Sequence, residues 1–214
     1  MFAWTKTKEF KNHLSYDWWM YFLSALVICC VWGTLFNGII KPQPEEKVRL
    51  SALGVVALDD GGLEAELMAN MSSITKDEVR EITVENVAYE DDYNSYVMIV
   101  TRSMGMADVM LFSEKTLTEK GLDYTGTFAA LDEAAVKAFF GDDVQLLKID
   151  GEVYGVRLNN DARTTRFDQY YNGVSPCYAL FCTLSETTGG WSGTGTPEHT
   201  QTLDALKYLM QPAD

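Results

Sequence analysis

The chain has 214 residues, and its formal charge of −14 is unevenly distributed along it. Residues 1–40 hold three lysines and two acidic residues, whereas residues 41–214 hold fourteen basic and twenty-nine acidic residues. An acidic module of this kind repels phosphate, which excludes nucleic acid as a partner, and an apolar content of 47% excludes wholesale disorder.

The first element is an apolar segment from Trp18 to Ile40 that contains no charged residue. A helix of this length measures about 35 Å, which is enough to cross a hydrocarbon core of about 30 Å. Trp18, Trp19 and Tyr21 cluster at one end, as aromatic residues do at a membrane interface. A cleavable signal peptide has a shorter apolar region and a small-residue cleavage site, neither of which is present. The segment 18–40 is therefore predicted to be a transmembrane helix.

The flanking charges predict how this helix is oriented. Lys6, Lys8 and Lys11 precede it, whereas the stretch that follows it mixes both signs. The positive-inside bias favours a cytoplasmic segment 1–17 and a single-pass protein of the cell membrane. Residues 41–47, with two prolines, form a short stiff linker. Residues 48–214 are then an extracellular or periplasmic domain.

Strands and helices alternate through the first part of this domain. A helix over 63–74 is predicted to bury Leu63, Leu67, Met68 and Met71. A further helix begins at Asp91 or Asp92 and ends at Gly105. Strands are predicted at 48–58, 79–89 and 107–112. This order is typical of parallel strands with helices on both faces of the sheet, with the first strand central.

The second part adds a hairpin and returns to the sheet. Asp150-Gly151 lies between apolar runs and predicts a two-residue turn. Short helices are expected at 114–120 and 133–140, and a further strand within 170–184. A last helix is predicted to begin at Thr196, its N-cap, and to end before Pro212. The predicted fold class is α/β: one transmembrane helix followed by one mainly parallel α/β sandwich domain with an added hairpin.

Several short motifs occur in a familiar order. They are an opening strand into a helix, Ala107–Met110, Phe128–Asp132, Val153–Val156, Cys177–Leu184 and Ala205–Leu209. Together they resemble lobe I of type II solute-binding proteins of ABC importers, over residues 48–210.

The resemblance implies a solute-binding-like fold with one departure. In that family the chain crosses to a second lobe soon after the Tyr-Gly-Val strand, and closure of the two lobes buries the ligand. Here only twenty residues separate Val156 from Cys177, so the second lobe is missing. The family's solute-binding activity therefore does not transfer directly.

Ligands of open α/β sheets bind beyond the carboxyl ends of the strands. Asp59, Asp60, Ser113 and Glu114 follow two such strands and are the candidate ligand-binding residues. Three carboxylates favour a cationic or polyhydroxyl ligand, or Ca²⁺. The alternative is that Asp59 and Asp60 form a turn and that Ser113 caps a helix.

A second candidate surface carries the basic residues. Arg157, Arg163 and Arg166 cluster where the family crosses between lobes, and they either bind an acidic partner or balance nearby aspartates. Trp191 lies in a loop rich in glycine, serine and threonine, where it either anchors a partner or folds onto the domain.

Metal, cofactor and catalytic signals are weak. Cys177 and Cys182 are five residues apart on a strand and point to opposite faces, so they are predicted to be small core residues. His199 has no second histidine or suitably spaced cysteine to share a zinc ion with. No metal or cofactor is expected, and catalytic residues are not assigned.

The predicted function is a non-catalytic recognition or assembly module, tethered to the membrane, whose partner is another membrane or envelope protein. Two alternatives remain at this point. One is a small-ligand sensor in which a second copy completes the cleft. The other is a cell-envelope hydrolase that uses Asp59, Asp60 and Glu114 as acid and base groups.

Overall fold

The structure is a computed structural model, and it describes part of the chain. The described residues are 18–43, 46–53, 55, 62–74, 78–87, 97, 101, 106–120, 124–171, 176–183 and 200–213. They fall into two compact units, Met1–Gln43 and Pro44–Asp214. Asp59, Asp60, Trp191 and His199 lie outside the described residues, as does most of the helix predicted after Asp91.

Among the described residues of the N-terminal unit, one helix, α1 (Trp18–Leu35), continues as a π-helical turn, Phe36–Ile40. The stretch Trp18–Ile39 is long and apolar enough to cross a membrane, and none of it is buried inside the structure. Its polar side chains bond within the helix. The hydroxyl of Ser24 donates to the carbonyl oxygen of Met20 at 2.8 Å, and the amide of Asn37 donates to that of Gly33 at 3.0 Å. Such internal bonding suits an apolar environment.

The second unit is a mixed α/β domain built on one six-stranded sheet in the order β2-β1-β3-β6-β5-β4. The strands are β1 (Lys47–Leu53), β2 (Glu81–Val87), β3 (Val109–Ser113), β4 (Leu146–Ile149), β5 (Glu152–Arg157) and β6 (Cys177–Phe181). β1 pairs in parallel with β2 and β3, so its predicted central position among them is confirmed. The expectation of a mainly parallel sheet is wrong, because β6 runs antiparallel to β3 and β5, and β4 runs antiparallel to β5.

Six helices of this unit are described. They are α2 (Gly62–Ile74), α3 (Glu114–Lys120), α4 (Tyr124–Thr127), α5 (Glu133–Phe140), α6 (Phe167–Tyr170) and α7 (Gln201–Leu209). The side chain of Asp132 caps α5 by accepting from the N–H of Ala134 at 2.8 Å. The predicted bounds of α3 and α5 are confirmed.

One detail of the predicted helices is wrong, and another lies outside the described residues. The helix α7 is described from Gln201, the predicted N-cap Thr196 is not among the described residues, and the hydroxyl of Thr200 donates to the Asp204 carboxylate. On α2, Leu63, Leu67 and Met71 recur every four residues and are buried, whereas Met68 is 44% exposed. Met68 follows Leu67 directly, so it lies about 100° around the helix from the buried stripe.

The core lies on both faces of the sheet. One face buries residues of β1, β3 and β6 together with α2, α5 and α7. The other face is smaller and includes Phe112 and Phe128, whose rings meet edge to face at 5.7 Å. Cys177 is in the first cluster and Cys182 in the second, both as free thiols, which confirms their opposite placement. Burial raises the pKa of both thiols, that of Cys182 to about 12.

The predicted hairpin is confirmed, and one glycine ties it to the sheet. Asp150 and Gly151 have φ values of 52° and 91°, as a two-residue hairpin turn requires. On β5, a Cβ added to Gly155 would lie 2.6 Å from the carbonyl oxygen of Ala179 on β6. The close approach of β5 to β6 therefore depends on glycine at this position.

The connection from β5 to β6 packs against the same domain. Phe167 and Tyr171 are fully buried in the larger core cluster, with stacked rings 4.8 Å apart. The phenol of Tyr171 donates to the side-chain oxygen of Asn86 on β2 at 2.9 Å. The N–H of Arg166 donates to the carbonyl of Gln211 at 2.9 Å, near the end of the chain. Residues 158–171 thus complete the core of this one domain.

Candidate functional site

The candidate site lies at the edge of the sheet where β3 and β5 end and β6 begins. Ser113 pairs with Cys177, and Arg157 pairs with Tyr178, so all four residues lie along one edge. β1 ends at this same edge, since Leu53 pairs with Phe112. Ser113, Glu114 and Arg157, which belong to two separate candidate surfaces in the sequence, therefore come together.

Arg157 is the central charged group of this edge. Its side chain is 7% exposed, and a buried guanidinium is costly unless its N–H groups are bonded. Nη1 donates to Gln145 Oε1 at 2.5 Å and to Asp161 Oδ2 at 3.0 Å, and Nη2 donates to Asp161 Oδ1. Nε donates to Asn159 Oδ1 at 3.2 Å, and this oxygen also accepts from the N–H of Cys177. Arg157 is therefore held in place from several directions.

The ion pair of Arg157 and Asp161 is asymmetric in its burial. Asp161 lies on the loop after β5, and its side chain is 78% exposed. The hydrogen bond between them lowers the pKa of Asp161 and raises the pKa of Arg157, to which Tyr178 and Glu114 add smaller contributions. The buried guanidinium of Arg157 is thus paired with a carboxylate that faces solvent.

A cavity of about 180 Å³ opens beside Arg157. Its wall includes the end of α5, the segment from β5 to Thr165, and the residues that follow α7. Among the described residues, three cations line it, Arg157, Arg163 and Lys207, against one carboxylate, Asp143. The cavity is therefore basic, although the domain that contains it is strongly acidic.

The predicted arginine cluster is divided in the structure. Arg163 is exposed and lines the cavity with Arg157. Arg166 instead donates to the phenol oxygen of Tyr208 at 2.6 Å and lies over its ring, 4.6 Å from the centroid. Arg166 also pairs with Glu66 at 3.3 Å. It joins α2 to α7 and is not among the residues that line the cavity.

Ser113 acts as a helix cap. Its hydroxyl is within 2.8 Å of the Thr116 hydroxyl and accepts from the N–H of Thr116 at 3.3 Å. Glu114, the first residue of α3, is exposed at the same edge. The alternative interpretation of Ser113 as a cap agrees with these contacts, and its role toward a ligand stays a prediction. Asp59, Asp60 and Trp191 are not described, so their roles also stay predictions.

The structure adds site residues that the sequence analysis missed. Gln145 contacts Arg157 across twelve positions of sequence, and Lys207 reaches the cavity from α7, where its Nζ donates to the carbonyl of Phe139 at 2.7 Å. Gln145 stands in no motif, and the motif Ala205–Leu209 that contains Lys207 carries no ligand-binding role, so no sequence signal marks either residue as part of a site. Within the described part of the chain, no three His, Cys, Asp or Glu residues are grouped to hold a metal ion.

Comparison of the chain with protein-family models, with curated proteins and with solved structures finds no match. The resemblance to lobe I of solute-binding proteins therefore stays a prediction from the sequence.

Proposed function

We propose that this chain is a single-pass membrane protein that presents one non-catalytic α/β recognition domain, similar to lobe I of a solute-binding protein, on the outer side of the cell membrane. Its partner is another membrane or envelope protein, which it meets at the sheet edge that carries Arg157. The observation that carries this proposal is the basic cavity beside Arg157 in a domain with a large excess of acidic residues.

The chemistry of the cavity supports binding rather than catalysis. Its buried polar groups are already bonded to one another, as in the bonds from Arg157 to Gln145 and Asn159. The hydroxyl side chain found among its described lining residues, that of Thr165, is buried and donates to Asp168 at 2.9 Å. Groups fixed in this way are prepared to recognise a charged partner at little reorganisation cost.

The connection between β5 and β6 supports a module with one lobe. Phe167 and Tyr171 fill the core of the domain itself. A clamshell mechanism needs two bodies joined by hinges, whereas Tyr171 bonds the connection to β2 and the N–H of Arg166 bonds it to the end of the chain. Recognition by an open surface therefore fits better than enclosure of a solute between lobes.

The apolar helix Trp18–Ile39 supports membrane attachment. Its orientation is testable with the full chain in intact cells, because Ala138 is an exposed residue on α5 that a cysteine can replace. We expect Ala138→Cys to react with a membrane-impermeant maleimide without permeabilisation. The unmodified chain is the control, because Cys177 and Cys182 are buried and Cys29 and Cys30 lie in the apolar helix. Reaction of Ala138→Cys only after permeabilisation would overturn the proposed orientation.

The recognition role is tested in the same cells by crosslinking. A photoreactive amino acid replaces Arg163 at the cavity or, as a matched control, Arg80, which precedes β2 near the opposite edge of the sheet. The proposal predicts a discrete crosslinked membrane or envelope protein from position 163 and none from position 80. The same adduct from both positions, or none from position 163, would contradict it.

A further inference from the structure

The strongest feature beyond this proposal is the ion pair in which the two carboxylate oxygens of Asp161 accept from Nη1 and Nη2 of Arg157. An arginine fork with two N–H groups side by side matches the two oxygens of a carboxylate. In this structure the two oxygens belong to a side chain that is itself 78% exposed. Solvent can therefore reach the carboxylate without any rearrangement of the core.

The guanidinium keeps its position if Asp161 leaves. Gln145 and Asn159 bond Nη1 and Nε independently of Asp161, and Asn159 is in turn bonded to the backbone of β6. Loss of Asp161 would expose a fixed, buried cation on the wall of a cavity that Arg163 and Lys207 also line. Such a cation attracts a replacement carboxylate strongly, because its burial limits screening by water.

We propose that the cavity binds a carboxylate group, which displaces Asp161 from Arg157, so that Asp161 acts as an internal competitor for the site. The volume of about 180 Å³ is large enough for a small dicarboxylate such as malonate. Arg163 provides the second guanidinium for the second carboxylate of such a ligand.

The carboxylate has two possible sources, which share this chemistry. It is either a free small dicarboxylate or an acidic side chain of the partner protein. The inference rests on the proposed function only in that both use the same cavity. Its test measures binding to the purified full chain and does not depend on orientation in the cell, so either proposal can fail alone.

The test is calorimetric titration of the full chain, in nanodiscs of zwitterionic lipid, with malonate. Malonamide, which has the same shape without the charge, is the control ligand. We expect saturable binding of malonate and none of malonamide. Binding of both ligands with similar affinity, or of neither, would overturn the proposal, as would tighter binding of inorganic phosphate than of malonate.

Three variants test the role of each charge. Asp161→Asn keeps the size of the side chain and removes its charge. It is expected to tighten malonate binding about tenfold, because Arg157 is then available to malonate in a larger fraction of the molecules. Arg163→Gln alters an exposed residue, so it leaves the fold intact, and is expected to weaken binding about tenfold. Arg80→Gln removes one positive charge away from the cavity and is the matched control, with no expected change.

The outcomes separate a specific site from general attraction. Equal weakening by Arg163→Gln and Arg80→Gln, or malonate binding that Asp161→Asn leaves unchanged or weakens, would contradict the inference. Competition with a blocked Asp-Asp dipeptide then identifies the source. If the peptide binds more tightly than malonate, the natural ligand is an acidic side chain of the partner protein. If malonate binds more tightly than the peptide, the natural ligand is a free dicarboxylate.

Discussion

Two arginine–aspartate pairs stand at opposite edges of the sheet, and their burial is reversed. Where the parallel strands begin, Asp108 is fully buried and accepts from the N–H of Arg49 at 3.0 Å and from its Nη2 at 2.9 Å. The Arg49 side chain is 30% exposed. Where the strands end, the guanidinium of Arg157 is 7% exposed and its partner Asp161 is 78% exposed.

This difference separates a structural pair from a binding group. The N–H of Asp108 also donates to the carbonyl of Arg49 at 2.8 Å, so the backbone of β1 and the start of β3 hold the carboxylate from both sides. No ligand from solvent can replace a carboxylate that is buried in this way. The carboxylate of Asp161 is reached directly from solvent, and its replacement leaves the buried guanidinium in place.

The largest expected effect breaks the first pair. Asp108→Asn replaces one of two accepting oxygens with an amide NH2 that faces an N–H donor of Arg49 at a fully buried position, which should lower the free energy of unfolding by about 3 kcal/mol. Asp161→Asn should cost less, because the new amide faces water and because Gln145 and Asn159 still bond the guanidinium of Arg157. Urea unfolding of the two variants measures both values, and equal losses would show that the two pairs are equivalent.

A smaller loss in the free energy of unfolding is expected from a change on β5, the strand that ends at Arg157. Gly155→Ala places a methyl group 2.6 Å from the Ala179 carbonyl oxygen and forces β5 away from β6. We expect a loss of about 2 kcal/mol in the free energy of unfolding. Because β5 ends at Arg157, malonate binding should also weaken. Unchanged binding in this variant would mean that the position of β5 does not determine the geometry of the site.

A third arginine, Arg166, resembles Arg49 in its structural role, and Tyr208 reports on it. Burial, and then the hydrogen bond to Glu66, raise the pKa of Tyr208 from 10.0 to about 12. Between pH 10 and about pH 12 the phenol of Tyr208 keeps its proton in the native state and loses it in the unfolded state. The stability that is present below pH 10 is therefore lost as the pH rises toward 12.

Tyr208→Phe tests this interpretation. It should cost about 1 kcal/mol or more at neutral pH, because the hydrogen bond to Glu66 and the one from Arg166 are both lost. It should also reduce the alkaline loss of stability, as measured by urea unfolding between pH 9 and about pH 12. The buried thiols titrate equally in both proteins, so the difference between the two curves isolates Tyr208. Parallel curves would show that Tyr208 does not contribute to the pH dependence.

The smallest effect is expected at a surface cluster of one carboxylate and two lysines, none of them buried. Hydrogen bonds from Lys137 and then Lys148 lower the pKa of Glu133 from 4.5 to about 2. The stability that Glu133 contributes is present above pH 4.5 and is lost as the pH falls toward 2. The stability difference between the wild type and Glu133→Gln should be slight at pH 7 and vanish near pH 2. A difference that persists at the lowest pH would contradict this assignment.

The parts of the fold that follow from local chemistry could be predicted. Asp150-Gly151 determines a turn because both residues adopt positive φ, and Asp132 determines the start of α5 through its own side chain. The antiparallel insertion of β6 could not be predicted in this way, because strand order depends on contacts between distant segments. The surroundings of Arg157 follow from that insertion, which explains why Gln145 and Lys207 were missed as site residues.

The central claim is that Arg157 exchanges its carboxylate partner and that Arg49 does not. The most direct measurement is nuclear magnetic resonance of the arginine Nε–Hε groups of the full chain in nanodiscs, titrated with malonate. We expect the Arg157 signal to shift saturably while the Arg49 signal stays fixed. Shifts of equal size at both residues, or no shift at Arg157, would contradict it.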